Sequence, residues 1–287
     1  MGELLNQVVL GVLLGGLYAL YAIGLSLSVG VIRLINLAHG DEIVLFCYLL
    51  LTLTTLLGVP PVVALLLFLP VAFGLGYALQ RFLLQRVVSR ALLPALLVTF
   101  GLSIIIQNGL LETYGADMQK MSGGSFETAS LSLGNNLNVG VLPLATFATV
   151  VLLVIALDLL LYRSPMGARI RAVADDAPTA DLIGLPTARI YATAMGIITV
   201  TIAIAAFFMG IWTNFDPTMG PMNLLVAFEV VVLGGLGSLW GTLVGGIILG
   251  VAQTFGAQFD AAWQSLAGHL VFLVIFLIRP RGLFPKG

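Results

Sequence analysis

Long apolar runs, each near the thickness of a bilayer, follow one another along this chain with short polar breaks between them. Membrane segments are predicted near 4–29, 41–57, 60–80, 92–111, 141–161 and 190–212, because a helix needs roughly 20 apolar residues in a row to cross a hydrocarbon core. The stretch 223–278 is also apolar but is interrupted near Gly234–Ser238 and Gln258–Gln264. Three short crossings fit those two breaks, while a re-entrant segment would leave an even total. The pattern predicts an all-α, polytopic transmembrane helix bundle of about eight or nine membrane segments, broken or re-entrant ones included.

Composition agrees. Of 287 residues, 60% are hydrophobic and 9% charged, and the mean hydropathy is +1.11. A soluble domain carries roughly 25% charged residues, so this chain cannot cover its surface with charge. A single membrane domain, 1–287, is expected, with no room for a second. The net charge of −1 gives nucleic acid nothing to bind. Cys47, the one cysteine, excludes a disulfide framework. The start Met-Gly-Glu-Leu-Leu-Asn lacks a basic region, so the first apolar segment is expected to be a retained helix rather than a cleaved signal.

Orientation follows from the basic residues, which accumulate in cytoplasmic loops. Arg33 follows the first span, and Arg81, Arg86 and Arg90 follow the third. Arg163, Arg169, Arg171 and Arg189 fill the loop after the fifth, and Arg279, Arg281 and Lys286 close the chain. An external N-terminus and an odd number of crossings satisfy all of these. Lys120 is the exception, in a segment with Glu112, Asp117 and Glu127 that should face outward. That external segment, 113–140, is rich in Gly, Ser and Asn, and alternation at Phe126–Leu133 suggests a short hairpin lying on the membrane surface. A plain connecting loop fits as well.

Polar residues inside an apolar pattern are the candidates for function. Arg33, Asn36, His39, Asp41 and Glu42 lie between two apolar spans with no proline-rich loop to carry them away from the bilayer. A short helix broken at Gly40 would turn these groups toward a cavity or the cytoplasmic boundary. An interfacial turn whose charges pair with one another is the rival reading. Glu229, in the seventh apolar stretch, belongs near the outer interface or inside the bundle. Gln107 and Asn108 sit late in the fourth span. Asn36, His39, Asp41, Gln107, Asn108 and Glu229 are the candidate translocation-path residues, although interhelical hydrogen bonding explains several of them equally well. His269 has no second histidine nearby and reads as a hydrogen-bonded packing residue. Gly11 with Gly15, Gly246 with Gly250, and Gly237, Gly241 and Gly245 recur every fourth residue, the spacing that lets membrane helices approach closely.

Several chemistries are missing. Neither lysine, Lys120 or Lys286, stands in a Gly-x-x-x-x-Gly-Lys-[Ser/Thr] phosphate loop, so this chain does not hydrolyse ATP that way. His39 and His269 are far apart, and neither His-Glu-x-x-His nor Gly-x-Ser-x-Gly occurs, which disfavours an enzyme. No cofactor or metal site is expected. Neither an arginine ladder nor a Thr-Val-Gly-Tyr-Gly filter is present.

The segment 162–191 is the one long polar stretch built to dock something. Ser164-Pro165 is a helix start, with Ser as the cap and Pro at the first helical position. Leu182, Ile183 and Leu185 then present apolar groups before Pro186, and a turn at Gly184-Leu185-Pro186 leads back to the membrane. Such a knob suits a groove on a partner protein. A hairpin resting on lipid headgroups is the alternative.

Four stretches together, Gly16–Leu25, Arg33–Asp41, Gly167–Asp176 with Ala180–Leu185, and Val232–Ser238, closely resemble the permeases of branched-chain amino acid ABC importers. The likeness is to the shorter subunit of their heterodimeric Liv-type pair, and the ending Arg279–Phe284 shares it. The resemblance covers essentially the whole chain. It implies a second homologous permease subunit, two ATP-binding subunits that hold ATP and Mg and seat the 162–191 loop, and an external solute-binding protein. It also implies a bacterial inner membrane. Arg169, Arg171, Asp175, Asp176 and Gly184 are then the coupling-loop candidates. The loop resembles the ABC "EAA" motif in position and in its Ala177-to-Gly184 pattern, but Asp175-Asp176-Ala177 replaces the leading Glu-Ala-Ala. Cargo is not fixed by the resemblance: such permeases carry leucine, isoleucine and valine, or urea, short amides and small aromatic acids. A reading from another class, an ATPase-independent channel or ion-coupled carrier using Asp41, Glu42 and Glu229, stays open.

Overall fold

The structure, a computed structural model, describes residues 2–88, 92–132 and 138–284. Arg90, Lys286 and residues 133–137 of the external segment lie outside the described residues. Helix α1 (Gly2–Leu27) continues through a π-helical turn at Ser28–Ile32. Next come α2 (His39–Leu57) and α3 (Pro61–Ala78), the latter running through a second π-helical stretch into the short α4 (Gln85–Val88). Helix α5 (Leu92–Tyr114) is followed by the external segment, which holds α6 (Ser125–Thr128) and the two-stranded pair β1 (Ser130–Ser132) and β2 (Asn138–Gly140). Helix α7 (Val141–Arg163) leads into α8 (Pro165–Asp175) and α9 (Ala177–Leu182), and α10 (Thr187–Trp212) returns through the bundle. The chain closes with α11 (Gly220–Gly234), α12 (Leu239–Gly256) and α13 (Ala261–Ile278). Eight helical stretches among the described residues are long and apolar enough to cross a membrane, and α11 is a shorter ninth. The protein is a multi-pass membrane protein, and the interruptions expected near 234–238 and 258–264 fall at 235–238 and 257–260.

Close helix packing rests on glycine. A Cβ on Gly15 would stand 2.5 Å from the Gly246 carbonyl oxygen, and one on Gly250 would stand 2.4 Å from the Gly11 carbonyl oxygen. Thus α1 and α12 meet backbone to backbone, as the four-residue glycine spacing anticipated. Gly234 and Gly241 do the same for α11 and α12, where a Cβ on either would come within 2.3 Å of the other's carbonyl oxygen. Helices α1 and α10 form the centre, with Leu17, Leu20, Ile23, Met195, Ile198 and Ile202 all nearly sealed from solvent. Helix α13 lies at the periphery, with Trp263, Leu270, Leu273 and Leu277 on its open face.

The arginines gather on one face. The π-turn after α1 lines a cleft with Arg171 and Gly237, Arg81 lines another with Asp181 and Arg189, and Arg281 lies beside Val29 and Ile35. The chain end is tied to this face where Leu283 and Phe284 donate backbone hydrogen bonds to Leu233 and Gly234. Basic residues gathered on one side are what the positive-inside rule expects of a membrane protein.

Two segments between spans do not stay at a surface. His39, the first residue of α2, places its Nε2 2.7 Å from the carbonyl oxygen of Tyr21, three turns before the end of the π-turn that follows α1. A Cβ on Gly24 would meet both His39 and Thr201, halfway along α10. Residues 33–38 therefore climb from the arginine face into the bundle before α2 begins. From the opposite side, residues 213–219 descend so that α11 starts against α2: a Cβ on Gly40 would stand 1.9 Å from the Gly220 carbonyl oxygen. This explains the shortness of α11, since its 15 residues span roughly 22 Å at 1.5 Å per residue, enough to reach one face from mid-depth.

Two expectations need correction. The break in 31–42 lies at Arg33–Ala38, where Arg33 takes a left-handed φ of 56°. Gly40 instead sits in the first turn of α2, where Gly220 leaves no room for a side chain. The external segment does not merely lie on the surface. Phe126 falls in the helical turn α6, which follows the positive-φ Gly124, and among the described residues of this segment Ser130–Ser132 and Asn138–Gly140 pair as strands. Further back, Gln119 and Phe215 exchange two backbone hydrogen bonds at 2.8 and 2.9 Å, and Met121 N–H donates to the Gly210 carbonyl at 2.8 Å.

Gly246→Val would push side-chain atoms into Gly15 and Ala19. We expect it to destabilise the fold by about 1–3 kcal/mol and to lower the monodisperse yield in detergent chromatography. Gly74→Ala, with open space around it, should leave the yield unchanged.

Candidate functional site

Where α2 and α11 meet, acidic groups are sealed from solvent. Asp41 and Glu42, in the first turn of α2, are 1% and 4% exposed. Asn36 builds the approach: its Oδ1 accepts from Ala38 N–H at 3.0 Å, and its Nδ2 donates to Glu42 Oε1 at 2.9 Å. The asparagine turns the climbing backbone into a helix and holds one carboxylate at once. Ser28 Oγ donates to the Leu34 carbonyl at 2.9 Å, covering another backbone group of this non-helical stretch. Asp41 points at the start of α11, where its Oδ1 would lie 1.8 Å from a Cβ on Gly220. Ser103 and Gln107 of α5, bonded to each other at 3.1 Å, stand beside the Asp41 carboxylate. Both are hydrogen-bonding neighbours of that carboxylate, while Glu42 Oε2 lacks a donor among the described residues.

Asn36, Asp41 and Gln107 are thus gathered around the start of α2, while His39 turns away toward Tyr21 of α1. Asn108, one residue on from Gln107, is not gathered there: it lies on the exposed side of α5, bonded to its own helix at the Ile104 carbonyl, 2.8 Å away. Glu229 sits apart too, nine residues along α11 from Gly220 and so roughly 13 Å down the helix. It is buried inside the bundle, 3% exposed, and its Oε1 accepts from His269 Nδ1 at 2.5 Å. Tyr18 stands near it and donates its hydroxyl to Gln253 Oε1 at 2.5 Å. His269 is a hydrogen-bonded partner here, and among the described residues no group of three His, Cys, Asp or Glu side chains is placed to hold a metal. Arg33 is exposed and pairs with neither Asp41 nor Glu42.

Above the junction, Tyr48 packs against Tyr114 and Phe215, with ring centroids 4.5 and 5.0 Å apart. Tyr48 is two helical turns beyond Asp41, so these rings close the bundle on the outer side. Phe215, fully buried, is held there by Gln119.

On the arginine face the polar loop is a two-helix hairpin. Ser164 caps α8 by accepting from Gly167 N–H at 2.9 Å, with Pro165 in the first turn. Asp176 caps α9, accepting from Thr179 N–H at 3.1 Å and from the Thr179 hydroxyl at 2.5 Å. These bonds, the hydroxyl first, hold the Asp176 carboxyl below its ordinary 3.8. The cap is therefore complete above that value and is lost only as the pH falls through the lowered one. Gly184 turns the chain at φ +83°. The guanidinium of Arg171 lies 5.0 Å over the Tyr162 ring. Arg169 and Asp175 are exposed, and Leu182 and Ile183 form an apolar tip, 87% and 72% exposed.

Residues 7–279 match the family described as "Branched-chain amino acid transport system / permease component". The chain belongs to that family. It is 29% identical over 295 residues to the high-affinity branched-chain amino acid transport system permease protein BraD of Pseudomonas aeruginosa, covering 98% of this chain and 96% of the relative. LivH of Escherichia coli K12, of the same description, is 28% identical over 297 residues with the same shares. The fructose import permease protein FrcC of Rhizobium meliloti is 27% identical over 258 residues, 85% of this chain and 69% of the relative.

In this member of the permease family, sequence reasoning missed Ser103, Gly220, Tyr18 and Gln253. Ser103 stands four residues before Gln107 and so on the same helix face. Gly220-Pro221, just after a polar Asp216-Pro217, carried a helix-break signal. Tyr18 and Gln253 gave none.

His269→Ala leaves the Glu229 carboxylate buried without its donor, and we expect a cost of about 1–3 kcal/mol, read as a lowered thermal midpoint in detergent. Adding Glu229→Gln should recover part of that loss. No recovery would show that His269 acts through packing alone.

Proposed function

We propose that this chain is the transmembrane permease subunit of an ATP-driven ABC importer in a bacterial inner membrane, translocating branched-chain amino acids delivered by an external binding protein. The exposed hairpin tip carries the reading: two large apolar side chains, Leu182 and Ile183, stand clear of the bundle on the arginine face. Their helices continue almost directly into α7 and α10. An unpartnered apolar tip on a rigid stem suits a groove on another protein, whereas a lipid-resting hairpin would gain little from so firmly capped a fold. In this reading two ATP-binding subunits hold ATP and its Mg and seat the tip, and a second homologous permease subunit completes the path. Asp176 and Gly184 shape the hairpin, Arg169 and Asp175 offer charges to the groove, and Arg171 ties the stem to Tyr162.

Such coupling acts by differential contact in two states. Tilting α8 and α9 moves α7 and α10, and α10 packs on the α2 start where Asn36, His39, Asp41 and Gln107 line the proposed path. The names of BraD and LivH favour branched-chain amino acids as cargo, while FrcC is a relative with a sugar. Urea, amides or small aromatic acids are the alternative cargoes. An ion-coupled carrier is the reading from another class, and the buried Asp41 and Glu42 are the observation in its favour.

The test is reconstitution with the co-purified partner subunits and binding protein. Leucine uptake should require ATP, and Leu182→Asp with Ile183→Asp should lower it at least about tenfold, as expected when a buried apolar anchor is lost, with insertion and monodispersity unchanged. Uptake driven by a proton or sodium gradient without ATP would establish the carrier instead.

A further inference from the structure

We propose that the groove between α11, α13 and the π-helical turn after α1 binds an anionic phospholipid, with an acyl chain in the groove and the phosphate at Arg281. The inference needs only that the chain spans a membrane, and it holds whatever the chain carries.

Three observations carry it. The first is the groove itself, about 420 Å³ in volume and so within the range of small-molecule sites. Phe228 and Val232, one helical turn apart on α11, form one wall, and Val29, Ile35 and Phe276 line the rest. No carboxylate among the described residues lines it. The second is the cation it holds. Arg281 lines the groove, is exposed, and forms no ion pair among the described residues. Backbone contacts fix its place: Gly282 N–H donates to the Arg279 carbonyl at 2.9 Å, closing a turn around Arg281. Gly282 has a φ of +78°, and a Cβ there would stand 2.6 Å from the Gly235 Cα. With Leu283 and Phe284 bonded to Leu233 and Gly234, the root of Arg281 is pinned at the end of α11. The third is Leu236, which lines the groove and is 52% exposed. Its neighbours Gly235 and Gly237 take φ of 102° and 77°, so a loop that only glycine builds easily holds a large apolar side chain outward on the arginine face.

Together these features select an amphiphile with a negative head. An acyl chain gains little by leaving the bilayer for the groove, because lipid tails are as apolar as the lining, so the head decides which lipid stays. A guanidinium takes a phosphate through two parallel hydrogen bonds, and basic pockets between transmembrane helices recognise anionic head groups. Phosphatidylcholine offsets its phosphate with a choline cation, whereas phosphatidylglycerol keeps its negative charge. An inorganic phosphate would meet Arg281 and leave the apolar walls bare. An apolar helix of a partner would cover the walls and leave the guanidinium unmatched. The bound chain packs on Ile35 and on α11, and so on both of the segments that come together at the Gly40–Gly220 contact.

The experiment reconstitutes the full-length chain, with any subunits that co-purify, into phosphatidylcholine bilayers. The bilayers hold equal traces of a phosphatidylglycerol and a phosphatidylcholine that carry the same diazirine-bearing acyl chain. After irradiation, the label from each lipid is mapped by peptide mass spectrometry. We expect the glycerol lipid to label the peptides of Ile35, Phe228, Val232 and Phe276 about fivefold more than the choline lipid, the effect of one basic residue on an anionic head. The open face of α3 at Leu66, Leu67 and Val71 should take both labels equally. Arg281→Gln should bring the groove ratio close to one, whereas Arg86→Gln, an exposed arginine away from the groove, should leave it unchanged. Equal labelling of the groove by both lipids, or the same preference on α3, would overturn the proposal. So would a ratio that Arg281→Gln leaves intact. Loss of the preference in excess glycerol phosphate would assign Arg281 to a free phosphate, and a groove that neither lipid labels would assign it to a partner protein; either result removes the lipid site. Should Arg281→Gln fail to insert, the ratio on the unaltered chain decides.

Discussion

A backbone that leaves helical geometry at membrane depth must find its hydrogen bonds inside the protein, and this bundle contains two such stretches. Residues 33–38 find theirs through Ser28, Asn36 and the first turn of α2. Residues 213–219 find theirs through Gln119, Asp216 and the start of α11. Once those debts are met, two helices can begin in the interior, and polar side chains come to mid-depth that no continuous span would have placed there. The surrounding helices then need only close around the pair, which the glycine contacts of α1, α11 and α12 allow.

Much of this was legible in the residues. The spans and the interruptions in the last apolar stretch follow from apolar run length. The Ser164-Pro165 start and the turn at Gly184 were readable because caps and turns are set by local chemistry. Depth was not readable. Nothing local says that the chain after Arg33 turns back into the bundle, since that depends on what α10 and α11 offer as neighbours. The same limit separated Gln107 from Asn108: adjacent in sequence, they point about 100° apart on a helix, and only the packing of α5 decides which faces Asp41. Glu229 stayed ambiguous for a similar reason, because its partner His269 lies 40 residues away.

The two ends of the molecule differ in build. On the arginine face the connection between α7 and α10 is a capped hairpin in which each helix start is closed by its own side chain, Ser164 or Asp176. It is seated on the bundle by the buried Ile170, Val173 and Ala180, by the Thr187 hydroxyl donating to Asp181 at 2.8 Å, by Arg171 on Tyr162, and by the Tyr191 hydroxyl donating to the Val173 carbonyl at 3.3 Å. The opposite face is closed by aromatic rings and the paired backbones of Gln119 and Phe215, so its shape depends on segments far apart in sequence.

The exchange of backbone hydrogen bonds between Gln119 and Phe215 has a mechanical side. It splices the external segment to the loop that feeds α11, so the two behave as one length of rope. A body that grips the outer loop and lifts it does not peel away a loose flap. It either unzips that splice or hauls Phe215 out from between Tyr48 and the bundle, and with it the hinge from which α11 hangs.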